Sequence, residues 1–325
     1  MSTIQIAYIV FGIVILIALA LDLGLLSKNH KVVSIKMALY QTLFWVGLSL
    51  VFFGFLWWEE SSVAAVKYIT AYLMEWSLSI DNIFVFILIF SFFKVKETDA
   101  GRALLIGILL AIVFRIVFIA LGIELINRFH WLLYVFGAFL LYTGFKLFFQ
   151  NEESEYDPGH TKIYIWATKL LRISHVEPNG RYVIKENNKT YLTQLSLVVL
   201  MLAATDIVFA LDSIPTVVSL VRDNPKIPFS SSDILVIYSS NIFAVLGLRS
   251  LFFLLKGAVS KFDFLQQGIA VVLVFIGVKM LIEYFNIHIP IFVSLGVIVV
   301  CLGGSIVYSI YHNRKGLTEK SDAVN

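Results

Sequence analysis

Of 325 residues only one, Cys301, is a cysteine, so the chain cannot form an internal disulfide or a zinc thiolate cluster. Charge is scarce as well. Asp, Glu, Lys and Arg make up 14% of the chain, against about 25% in an average soluble domain. A basic excess is missing too: 25 Lys and Arg face 22 Asp and Glu, for a net charge of +3. That is too little for the electrostatic footprint of a nucleic-acid binder. No P-loop pattern occurs, so direct ATP coupling would require a partner. In place of charge stand 59% hydrophobic and 15% aromatic residues, with a mean hydropathy of +0.87. A soluble fold could not hide that much apolar side chain, whereas a lipid-facing one can leave it exposed. The expected class is an all-α polytopic membrane protein.

A membrane-spanning helix needs about 20 mostly apolar residues. Nine runs qualify, at roughly 4–26, 38–58, 63–92, 102–123, 131–149, 193–220, 234–255, 267–285 and 290–311. The first is read as a helix rather than a signal peptide, because residues 1–5 carry no positive charge and the apolar run is too long. The polar mass is concentrated at 150–192, expected as a cytoplasmic loop with an amphipathic helix near 163–173. A hairpin is expected over 181–192, turning at Asn187-Asn188. Eighteen Lys and Arg flank the spans on one side and four on the other, Lys67, Arg128, Arg222 and Lys226. The positive-inside rule then places the N-terminus outside and the C-terminus inside, in the cytoplasm. Trp57, Trp58 and Trp131 fall at outer span ends, where an aromatic belt belongs.

Charge inside hydrocarbon costs roughly 2.5–3.5 kcal/mol even on insertion scales, so buried polar residues carry the information. Span three reads Glu75…Ser79-Ile80-Asp81-Asn82 and span six Asp206…Asp212-Ser213-Ile214-Pro215. Each sets a carboxylate six residues before an Asp with a small polar follower, at an offset of 131. Arg115 then matches Arg249 at offset 134, and Gly144-Phe145-Lys146 matches Gly277-Val278-Lys279 at offset 133. Three landmarks in one order define a duplicated three-helix unit, 63–149 and 193–285. Three is odd, so the second copy enters the membrane from the opposite face. Such inverted repeats, common in secondary transporters, hold their sites near the midplane between the copies. Positions i and i+6 on an unbroken helix lie about 9 Å and about 120° apart. Either the helices unwind, or one acid of each pair faces an ion and the other a neighbouring helix. Pro215 favours a break in span six.

The buried inventory is five acids, Asp22, Glu75, Asp81, Asp206 and Asp212, against Arg115 and Arg249. Asn82, Ser213, Thr205, Ser79 and Asn241 offer neutral oxygens. An all-oxygen set suits Mg²⁺, Ca²⁺ or Mn²⁺ and argues against Zn²⁺ or Cu. Glu75, Asp81, Asn82, Asp206, Asp212 and Ser213 are the candidate metal ligands. Asp22, near a helix end, and Asn241 are secondary candidates. Purely structural ion pairs are the competing reading, but two arginines cannot neutralise all the acids. Arg115 and Arg249 are read as structural or gating counter-charges. Lys146 and Lys279 are expected to snorkel to the interface, and Gly137, Gly144, Gly247 and Gly277 to serve close helix packing.

Glu75…Asp81-Asn82 and Thr205-Asp206…Asp212-Ser213-Ile214-Pro215, with Asn241…Gly247-Leu248-Arg249 downstream, resemble the TerC/Alx family over about residues 5–312. These are bacterial integral membrane proteins named for tellurium resistance and associated with manganese homeostasis. The resemblance implies Mn²⁺ as transported substrate, export across the cytoplasmic membrane, and the six ligand candidates above as its site. Exchange for protons is the expected coupling, with no resident cofactor and no enzymatic activity. Two other readings compete. A non-transporting scaffold for stress-resistance partners would work through the 150–192 loop. An intramembrane aspartyl protease is opposed by the missing Gly-x-Gly-Asp and by twice the carboxylates a dyad needs.

Overall fold

The computed structural model describes residues 3–27, 34–129, 131–149, 161, 164–165, 168–169, 171–174, 180–186, 189–222, 227–256, 264–285, 287 and 289–322. The side chains of Asp22, Asp81 and Asp212 lie outside the described residues, although their backbone is helical. Among the described residues are nine long helices: α1 (Thr3–Ser27), α2 (Ile35–Glu59), α3 (Ser62–Phe92), α4 (Glu97–Arg128), α5 (Leu132–Phe149), α6 (Gln194–Val221), α7 (Ser231–Leu255), α8 (Leu265–Ile282) and α9 (Ile291–Asp322). Helix is what such a sequence must adopt in lipid, because each backbone polar group has to be satisfied within its own segment. Serines mark several starts. Ser34 and Ser61 accept from the amides of Met37 and Ala64, and Ser230 forms a reciprocal capping box with Asp233.

Five helical segments are long and apolar enough to cross a membrane: Ile35–Glu59, Glu97–Arg128, Gln194–Leu211, Ser231–Leu255 and Phe292–His312. Shorter apolar stretches lie in α1, α5 and α8. The protein is an all-α membrane protein. Helix α9 runs well beyond the expected end near 311, because its Asn-Arg-Lys-rich continuation holds no proline to stop it. Within the polar segment a two-stranded antiparallel hairpin pairs β1 (Val183–Glu186) with β2 (Lys189–Leu192), Glu186 opposite Lys189; the expected turn at Asn187-Asn188 lies outside the described residues. The expected helix at 163–173 is helical at Tyr164–Ile165 and Thr168–Lys169. Its end is corrected: Ile173 makes a parallel bridge to Leu192, which draws this stretch into the hairpin.

Burial separates the helices. In α7, 89% of the apolar window is buried within the protein, against 17% in α9 and 28% in α2. So α7 is the central post, while α9 and α2 present Val300, Val307, Tyr40 and Val51 outward. Helix α7 packs on α3, α2 and α4; α6 packs on α4 and α3; α5 and α8 form the most extensive pair. That last contact depends on small residues. A Cβ on Gly277 would lie 2.8 Å from the carbonyl oxygen of Gly137, and one on Gly144 would lie 2.9 Å from that of Ala270. Gly247 differs from expectation: a Cβ there would meet Trp76 and Trp45 only at ordinary contact distance, 3.5 and 3.7 Å.

Two apolar clusters fill the interior. The first takes Ala64–Met74 side chains of α3, Ile119–Ile126 of α4, Ala210–Val221 of α6 and Leu235–Ala244 of α7. The second takes Ile83–Phe90 of α3, Ala100–Ile112 of α4, Leu195–Leu202 of α6 and Ile242–Leu255 of α7. Helices α3 and α7 therefore run from the first cluster to the second, and α4 and α6 run the other way.

Candidate functional site: a charged waist between two apolar cores

On three of the central helices the change of cluster falls at a polar residue, Glu75 on α3, Arg115 on α4 and Asp206 on α6, and on α7 the two clusters interleave just after Asn241. These four side chains meet. The Arg115 guanidinium, on a residue 1% exposed, donates from Nε to Asp206 Oδ2 at 2.7 Å and from Nη2 to Asp206 Oδ1 at 2.9 Å. Its Nη1 donates to Glu75 Oε1 and to Asn241 Oδ1, the latter at 3.2 Å. The bidentate fork on Asp206 is the geometry that a planar guanidinium matches and an ammonium cannot. One cation thus ties four helices together. One arginine against two carboxylates also leaves this cluster with a formal excess of one negative charge.

Several polar atoms around the waist have no hydrogen-bond partner. They include Glu75 Oε2, the Ser79 and Ser213 hydroxyls, the Ser77 hydroxyl, Trp76 Nε1 and the Tyr72 hydroxyl. Buried polar atoms are nearly always satisfied, so each exception calls for an explanation. Asn82, Thr205 and Ser213 are buried in the same region, and Arg249 is 4% exposed. Among the described residues no group of three or more His, Cys, Asp or Glu is placed to hold a metal ion.

Two expectations need correction. Helix α6 is continuous through Pro215, with no break near Asp212, and α3 is continuous as well. Proline removes one amide, so only the Leu211 carbonyl loses its helical donor. Burial of Ile214, Val217 and Val218 in the first cluster holds the turn in place. Lys279 does not snorkel either. It is 3% exposed and donates to the Ser219 carbonyl oxygen of α6 at 3.2 Å, whereas Lys146 is exposed as expected. An acceptor within reach on α6 outweighs the longer route to the interface.

Sequence reasoning missed the neighbours of Glu75 on α3. Tyr68 and Tyr72 are buried, and the Tyr68 hydroxyl lies 2.8 Å from Ser49 Oγ of α2. It also missed the ion pair between Lys67 and Asp233, 2.9 Å long, which joins the starts of α3 and α7. Polar residues at three- and four-residue spacing on an apolar span were the available signal.

A helical membrane protein with a charged cluster between two apolar cores is the class these features define. The sequence places it more closely: residues 60–317 match the integral membrane protein TerC family, and the chain belongs to that family. It is 42% identical over 305 residues to the uncharacterized membrane protein STKORF319 of Myxococcus xanthus, covering 94% of this chain and 92% of that one. It is 39% identical over 314 residues to the Alx protein of Salmonella typhi, covering 94% of each. Against Alx of Escherichia coli K12 it is 41% identical over 297 residues, covering 89% of each. The Alx proteins carry the provisional description of membrane-bound redox modulator. No solved structure matches this chain.

Proposed function

We propose that this protein is a secondary transporter that exports divalent cations, with Mn²⁺ as its leading substrate, across the bacterial cytoplasmic membrane in exchange for protons. The observation that carries the reading is the waist itself. Glu75 and Asp206, equivalent acids of the two sequence repeats, converge on one arginine between two apolar cores, with a carboxylate oxygen left unpartnered. Intramembrane ionisable residues are expensive and mark ion pathways. Carboxylates in low dielectric hold protons more tightly, which lets them trade a proton for a metal as access alternates. In this reading Asp81 and Asp212, with Asn82 and Ser213, complete the metal site. Arg115 and Arg249 balance charge when the metal is absent, and Asp22 is a secondary ligand candidate.

An inverted repeat with nine spans is part of the proposal. In its support, α3 and α6 traverse the two clusters in opposite directions, as do α4 and α7. Packing partners also exchange as a two-fold requires, α3 on α7 and α4 on α6. The close pairs Gly137–Gly277 and Gly144–Ala270 interchange under the offset of 133. The alternation of the spans draws support from the ends of the bundle, where contacts join helix ends that the nine-span reading puts on one side. Lys256 pairs with Glu97 at 3.0 Å and Gln194 donates to the Phe93 carbonyl oxygen at one end. The Lys67–Asp233 pair and the bond from the Tyr8 hydroxyl to the Ser231 carbonyl oxygen lie at the other. The redox description of the relatives finds a limit here, since a chain with one cysteine cannot cycle an internal dithiol.

The test is cellular manganese, measured by elemental analysis in an exporter-deficient bacterium that expresses the wild type, Asp81→Asn or Asp212→Asn at matched membrane levels. The wild type is expected to lower manganese and both variants to fail. No change with the wild type sinks manganese export. A scaffold would instead lose its resistance phenotype on deletion of 150–192, where a transporter keeps basal flux.

A further inference from the structure

The side chains of Tyr68, Tyr72, Glu75, Ser79 and Asn82 recur every three or four residues along α3 and so occupy one face of it. All five residues are buried, none more than 3% exposed. Together they span about 21 Å of helix axis, a large part of the roughly 30 Å hydrocarbon core. One turn further, the same face becomes Phe86 and then Phe90, both members of the second apolar cluster. A continuous polar stripe therefore runs from the start of α3 through the waist at Glu75 and ends at Asn82.

Three atoms of the stripe have no partner: the Tyr72 hydroxyl, Glu75 Oε2 and the Ser79 hydroxyl. Burying such groups dry disfavours this packing, and a state in which water reaches them removes the penalty. Nor is the stripe a requirement of the repeated unit. At the offset of 131, Tyr68, Tyr72 and Ser79 correspond to Val199, Ala203 and Ala210 of α6. A packing role common to both copies would have left hydroxyls in both. At the outer mouth of the stripe stands the Lys67–Asp233 pair, with side chains 7% and 20% exposed. The polar route is one-sided: it reaches an ion pair at one surface, while beyond Asn82 the same face meets only apolar packing toward the other.

We propose that this face of α3 carries the outward half of the cation pathway at Tyr68 and Tyr72 and the floor of that half at Glu75, Ser79 and Asn82, closed in this conformation at its mouth by the Lys67–Asp233 ion pair. The inference rests on the export reading. In the outward-open state α3 and α7 part at the mouth, water enters along the tyrosine hydroxyls, and the hydrated cation leaves the waist by that route.

Cysteine accessibility tests it in intact cells, in a Cys301→Ser background that leaves no native thiol. Ser79→Cys and Tyr72→Cys lie on the stripe. Thr70→Cys, equally buried, on the opposite face of α3 and with a hydroxyl that donates to the Val66 carbonyl oxygen, is the matched control. A membrane-impermeant cationic thiol reagent added outside should modify the stripe thiols about tenfold faster than the control, because labelling tracks the population of the state that opens. Lys67→Gln should raise the stripe rates further and leave the control unchanged. Ser→Cys is nearly isosteric, and full labelling after denaturation confirms that each thiol is present and free. Equal rates at Ser79→Cys and Thr70→Cys, or labelling of the stripe only from the cytoplasmic side, overturn the pathway. The export reading fails separately: stripe labelling without manganese export by the wild type leaves a wetted route whose cargo is not manganese.

Discussion

Two places in this molecule join helices from its two halves, and they do so by opposite means. At the waist, Arg115 of α4 gathers Glu75, Asp206 and Asn241 from three other helices through charge-assisted hydrogen bonds. At the seam between α5 and α8 the helices are joined by backbones brought together at Gly137, Gly144 and Gly277. Lipid tails are as apolar as leucine, so the seam gains what stability it has from close van der Waals contact. The waist pays desolvation for every ion it buries, and buried ion pairs are poor sources of net stability. The seam thus draws on packing alone, whereas the waist is a costly arrangement that packing by itself does not account for.

The sharpest way to break the comparison is to remove one side of the charge balance. Arg115→Met leaves two buried carboxylates uncompensated and is expected to cost about 3–5 kcal/mol, read as a lower melting temperature of the detergent-purified protein. Next comes the seam. Gly277→Leu pushes a side chain against the Gly137 carbonyl oxygen and the Leu141 amide, 2.8 and 2.9 Å from its Cβ. Overpacking of this kind costs about 1–3 kcal/mol, and the yield of folded protein from membranes should fall with it. Replacing the whole ionic trio, Glu75→Leu, Arg115→Met and Asp206→Leu together, should restore melting to within about 1 kcal/mol of wild type while manganese export stays absent. A triple variant as unstable as Arg115→Met alone would assign the waist a structural role. The smallest effect belongs to the exposed pair. Lys256→Ala breaks a contact to Glu97 whose side chains are 41% and 60% exposed, and its thermal cost should stay below about 1 kcal/mol.

Much of this was legible in the chain. Hydropathy located every long helix to within a few residues at most ends, since in lipid a long apolar run has only helix open to it. The paired acids, Arg115 and Asn241 were visible as polar letters in apolar runs, and three of the four glycines proposed for close packing sit where a side chain would clash. Other features were not legible. Pro215 looked like a helix breaker and is accommodated, because neighbours hold its turn. Lys279 looked like an interfacial lysine and is buried on a carbonyl of α6. Tyr68 and Tyr72 read as ordinary aromatic residues until burial and an unpartnered hydroxyl set them apart.

Composition and period by themselves determined that the chain is a bundle of membrane helices with carboxylates and arginines trapped inside it, because the price of charge in hydrocarbon depends only on where a span lies. Which acid meets which arginine was decided by the tertiary structure alone. Arg115 and Asp206 lie 91 residues apart, and their meeting depends on the rotation and depth of α4 against α6. Those two quantities are set by side chains interlocking across helices, which no single span encodes.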